Sequence, residues 1–193
     1  MKKLLAILTM LMIFISSFAQ TPKVVTEKHK KDGYWKYTVN MEVGGSVKQS
    51  DYVNTLELQF SYKRHFDGYN NEGRMYFLNR GWDNCIEEIN GKKTIILQLL
   101  VDGDTLTFIP DYWSIDHWTT NGVMSDRPDR YFNSSFYTIY DVDIEKLLNA
   151  QSSIDVIKFG IYENFGWYLS GKNLDEIDYL MNYQANDPKF PQN

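Results

Sequence analysis

Between Asp111 and Phe132 the chain gathers Asp111, Tyr112, Trp113, Asp116, His117, Trp118, Asp126, Arg127, Asp129, Arg130, Tyr131 and Phe132. Flat aromatic faces stack on the C–H faces of sugar rings, while neighbouring acids and amides hydrogen-bond the hydroxyls. Exposed Trp and Tyr also anchor protein interfaces. Asp111, Tyr112, Trp113, Asp116, His117, Trp118 and Tyr131 are therefore the candidate ligand-binding residues, with a protein or a glycan as the partner. The competing expectation is that Trp113 and Trp118 fold back and plug one end of the domain, because large aromatics are on average well buried.

Hydrolytic chemistry on a glycan needs two acids roughly 5 to 9.5 Å apart across the scissile bond. Asp111 or Asp116 facing Asp126 or Glu163 would meet that need if the fold brought them together. Other catalytic signatures are missing. There is no G-x-S-x-G elbow and no glycine-rich loop after a strand to cradle phosphate. His29, His65 and His117 have no zinc-ligand spacing. The run Asp67 to Glu72 departs from a calcium loop: Tyr69 holds the third position, Glu72 the sixth, and no Glu stands at the twelfth. Cys85 is the sole cysteine, so no internal disulfide forms, and a catalytic thiol there would need a positioned histidine. No catalytic residue, metal or cofactor is expected from these motifs.

The partner class is narrowed by the N-terminus and by charge. Lys2 and Lys3 precede an apolar stretch from Leu4 to Phe18, and Ser17-Phe18-Ala19 offers small residues for a signal peptidase. Residues 1–19 thus read as a secretory leader, and the mature chain as an exported protein of the periplasm or extracellular space. The apolar stretch falls short of the roughly 20 residues of a spanning helix. No cysteine stands at the cleavage point, so no membrane anchor is expected after the leader is removed. Losing two lysines moves the net charge from −5 to about −7. That balance argues against nucleic acid and anionic membranes, which select basic faces.

These residues need a scaffold, and the pattern supplies strands. Residues 20–33 read as a polar tether. Trp35, Tyr37, Val39, Met41 and Val43 alternate with Lys36, Thr38, Asn40 and Glu42, and Leu56, Leu58, Phe60 and Tyr62 repeat the alternation. Asn90-Gly91 and Asp102-Gly103 mark two consecutive hairpins, with Pro110 ending the second. The nearly continuous apolar run Ile95 to Val101 suggests a strand covered on both faces. Residues 111–133 carry no sustained period and are expected to be irregular. Asp141 would cap a short helix, and Asn173 with Glu176 a last one. Ile154 to Tyr162 and Trp167 to Ser170 flank a turn at Glu163 to Gly166. One domain over residues 34–183 is expected, followed by a flexible tail over 184–193. Its class is mainly β, at most α+β: a β-sandwich or partly closed barrel of antiparallel strands, with two short helices in the C-terminal half.

Residues 93 to 183 resemble short secreted β-rich domains of unknown function from Gram-negative bacteria. The resemblance is carried by Leu99 to Leu106, by Asp143 to Ala150, and by the strand Ile157 to Tyr162. It implies a β-rich exported domain and assigns no catalytic residue. The sequence thus leads to an exported, non-catalytic binding or interaction module using the aromatic stretch 111–132. A secreted glycan hydrolase and a structural cell-envelope protein are the alternatives.

Overall fold

The computed structural model describes residues 21–45, 47–49, 52–81, 83–118 and 130–188, and for residues 47–49, 52–53, 118 and 130 the backbone alone. The expected leader therefore lies outside the described residues. Along the chain come β1 (Val25–His29), β2 (Tyr34–Glu42), β3 (Val47–Gln49), β4 (Tyr52–His65), β5 (Glu72–Gly81), β6 (Glu87–Ile89), β7 (Lys92–Thr94), β8 (Leu97–Val101) and β9 (Asp104–Phe108). Then follow β10 (Tyr112–Trp118), β11 (Arg130–Ile139), α1 (Asp141–Leu148), β12 (Ile154–Phe159), β13 (Tyr162–Leu169) and α2 (Gly171–Ala185).

Two antiparallel sheets share one core. The larger runs β1-β2-β4-β5-β11-β10, with β3 paired to the start of β4; the smaller runs β13-β12-β8-β9. Period-two alternation turns one face of each sheet inward. Tyr37, Val39, Leu58, Phe60, Met75 and Phe77 of the large sheet are buried together with Leu97, Leu99, Val156 and Trp167 of the small one. The rings of Phe77 and Phe159 meet across the layers at 6.0 Å. Ile144 and Leu147 of α1 and Leu174, Ile177 and Leu180 of α2 add to the same core. Gly44 and Tyr168 exchange backbone bonds of 2.9 and 3.2 Å, which ties the end of β2 to β13. Neither sheet closes on itself, so the molecule is a mainly β, sandwich-like fold rather than a barrel.

Several local expectations are corrected. The stretch 111–133 is a hairpin: Tyr112 to Trp118 pair in continuous register with Phe136 to Arg130. Its polar-aromatic composition hides the period because both faces of β10 carry side chains able to live half in water. In β8 only one face is fully covered, since Leu97, Leu99 and Val101 are buried while Gln98 and Leu100 are half-exposed. The turn between β12 and β13 lies at Gly160-Ile161, not at Glu163 to Gly166, because Phe159 pairs with Tyr162. Tyr140 occupies the N-cap of α1 with no side-chain bond, and Asp141 instead accepts from the Tyr62 hydroxyl at 3.1 Å. The capping box of α2 is formed by Ser170 and Asn173. The N-terminal stretch expected to be a tether contributes β1 to the large sheet. At the other end, Gln184 and Asp187 are buried, and the Tyr37 hydroxyl donates to Asp187 at 2.9 Å.

The two glycine turns fall as expected, and the second fixes which groups of β9 face outward. Asp102 and Gly103 have φ of 48° and 93°, the pair of positive angles that a two-residue hairpin turn requires. Val101 faces Asp104 across it, and Leu99 faces Leu106. In such a hairpin the closing pair shares both ladder bonds, and every second pair after it does the same. Asp104, Leu106 and Phe108 therefore bond to β8, while the N–H and C=O groups of Thr105 and Thr107 point the other way.

Candidate interaction surface

The β10–β11 hairpin divides the aromatic candidates between two faces. Trp113 lies opposite Ser135, which is fully buried, and the indole packs against the core. His117 lies opposite Tyr131, and their rings stack at 4.4 Å. Tyr112 and Asp116 alternate with these residues and so belong to the outer face. Asp111 holds the entry to the hairpin: its carboxylate accepts from the Thr138 N–H at 2.8 Å and from the Thr138 hydroxyl at 2.9 Å. Trp118 pairs through its backbone with Arg130, and its ring lies outside the described residues, as do Asp126, Arg127 and Asp129.

On the outer face Tyr76, Phe136 and Tyr112 are directly opposed across three strands. The Tyr76 and Phe136 rings lean on each other at 4.4 Å, and the Phe136 and Tyr112 rings stand 6.1 Å apart. The planes of the two pairs are tilted by 35° and 46°, so the rings do not form one flat platform. Tyr112, 61% exposed, is the open end of this ladder.

Of the acids named for hydrolysis, Asp126 lies outside the described residues, and the others sit on different sheets. Asp111 precedes β10 and Asp116 lies within it, on the large sheet. Glu163 is exposed on the outer side of the small sheet, where it pairs with Lys158 at 3.1 Å. Asp67 serves its own turn by accepting from the Tyr69 N–H at 2.9 Å. Cys85 is buried, and burial pushes its thiol well above the ordinary range, so it is held as the neutral thiol.

A different surface emerges where the two sheets end side by side. β9 is the edge of the small sheet, and Ile109 to Asp111 carry the chain from it to β10, the edge of the large one. A cavity of about 390 Å³ runs along Thr105 to Ile109, closed by Thr138, Tyr140 and Asp143. A second, of about 320 Å³, lies between Asp104, Leu106 and the α1 residues Val142, Glu145 and Lys146. Leu106 lines both, which makes them one groove following β9. Ile109, Tyr140 and Val142 on its walls are 73%, 64% and 60% exposed. Large apolar side chains gathered this openly mark interaction surfaces more often than ordinary solvated ones.

Sequence reasoning missed this surface because each member looked local: Ile109 was the residue before Pro110, and Tyr140 and Val142 bracketed a helix start. The signal was in the Asp102-Gly103 turn, which already fixes which β9 groups face outward. What it does not fix is that, among the described residues, no strand follows on that side. No family model, no curated protein and no solved structure matches the chain.

Proposed function

We propose that the protein is an exported, non-catalytic interaction module that binds another protein through the side of the sandwich formed by β9, Ile109, Tyr140 and Val142. The observation that carries this is the coincidence of exposed apolar side chains with the outward backbone groups of an edge strand. A protein supplies both complements, apolar side chains and an extended backbone, whereas a glycan has no backbone N–H and C=O ladder to match the strand. The glycan alternative is weakened because Trp113 packs against the core and the outer rings are tilted against one another rather than coplanar. Export is supported by Lys2, Lys3 and the apolar stretch from Leu4 to Phe18, and the resemblance to short secreted domains agrees with it.

Photocrosslinking in the cells that make the protein tests this reading. A benzophenone amino acid in place of Tyr140 should give a discrete adduct with a partner. The same probe in place of Tyr168, on the opposite edge of the small sheet, should give little. Adducts at neither position, or equally at both, would count against this surface.

A further inference from the structure

We infer that the groove along β9 receives an extended, basic segment of the partner as an added β-strand. The inference rests on the protein-binding reading above and specifies its mode. Thr105 and Thr107 direct two N–H and two C=O groups away from β8, and these have no backbone partner among the described residues. An unguarded edge of this kind is a template for strand addition. Edges are ordinarily protected by lysine, proline or a bulge. β9 carries neither residue, and its register with β8 runs without a shift from Asp104 to Phe108. By contrast, the neighbouring β8–β12 pair does contain a shift.

The chemistry of the occupant follows from the groove walls. Asp102, Asp104 and Glu145 line one cavity and Asp143 the other, against Lys146 as the cation among the lining residues. Leu106 and Ile109 offer apolar contact along the strand. The complement is a segment alternating apolar and basic side chains. A second copy of this chain fits poorly, because pairing β9 with β9 brings the acidic walls together in a chain whose net charge is already −5.

A capped eight-residue peptide of alternating lysine and valine, titrated calorimetrically into the full chain, provides the test. It should bind, and the alternating glutamate–valine peptide should not. Thr107→Pro removes one outward N–H without removing a ladder bond to β8, as proline is accommodated at an edge facing solvent. It should weaken binding about tenfold. Thr107→Val keeps the N–H and loses only the hydroxyl that accepts from Gln98 at 3.2 Å, so it should bind within about twofold of wild type. The lysine–valine peptide methylated at every second amide nitrogen repeats the test without altering the protein, and it too should bind more weakly.

Equal binding by Thr107→Pro and wild type, or by the lysine and glutamate peptides, overturns the inference. Concentration-dependent dimerisation abolished by Thr107→Pro assigns the edge to a second copy and also overturns it. If the peptide fails while the Tyr140 adduct persists, strand addition falls and protein recognition stands. If both fail, both fall.

Discussion

Gly160→Ala is expected to destabilise the fold by about 2–5 kcal/mol, a large share of the roughly 5–15 kcal/mol that holds a domain folded. Gly160 has φ of 56°, where a side chain costs roughly 1–2 kcal/mol. A methyl group would also lie 1.8 Å from the Cys85 carbonyl oxygen. That oxygen accepts from the Ile161 N–H at 3.0 Å, and the Gly160 N–H donates to Ile96 at 2.9 Å. The methyl group therefore forces apart the clamp that docks the β12–β13 turn on the segments around Cys85 and Ile96, adding about 1–3 kcal/mol of overpacking. Gly91→Ala is the control, because its φ is 75° but open space surrounds it. It should cost about 1 kcal/mol. At about 2–4 °C per kcal/mol for a chain of this size, the two variants separate clearly in a melting experiment. Equal losses would mean that the close contact at Gly160 is wrong.

The second large effect is alkaline unfolding. Burial pushes the hydroxyls of Tyr37, Tyr62, Tyr137 and Tyr162 and the Cys85 thiol upward, Tyr162 to about 12. Asp187 beside Tyr37 and Asp141 beside Tyr62 push the same way. In the unfolded chain these groups release protons between about pH 8.5 and 10. Their folded-state values are raised, so their contribution is complete below that window and is lost progressively as pH rises from it toward the folded-state values. Each contributes about 1.4 kcal/mol per pH unit once the unfolded chain is ionised and the folded chain is not, so five together reach about 7 kcal/mol per pH unit. Urea midpoints should be flat from pH 7 to 8, fall between pH 9 and 10, and collapse above that. A midpoint unchanged at pH 10.5 would contradict the buried, neutral state of these groups.

The fold was legible wherever one face of a strand is covered and the other wet. Tyr37, Val39 and Met41, and Leu56 to Tyr62, announce their inward rows through alternation alone, and Asn90-Gly91 and Asp102-Gly103 announce their hairpins through the φ values that few residues tolerate. Legibility failed where side chains suit both environments. Tyr112, Trp113, Ser114 and His117 give no period, yet they pair residue for residue with β11. It failed again where the deciding contact is distant in sequence, as for Asp187, held by Tyr37, and Gly160, fitted against Cys85. The candidate site was legible only as a neighbourhood. Tyr112 and Asp111 lie next to the groove, but the groove depends on β9 being an edge, and edge status is a property of the whole sheet.

Amide hydrogen exchange along β9 is the most direct test of the account. In the free protein the N–H groups of Asp104, Leu106 and Phe108 should be protected, and those of Thr105 and Thr107 should exchange fast. Saturating lysine–valine peptide should slow Thr105 and Thr107 by about tenfold or more and leave the opposite edge strand, β13, unchanged. Protection of Thr105 and Thr107 in the free protein, or exchange unaltered by bound peptide, would contradict the claim that this edge is where the partner's strand is added.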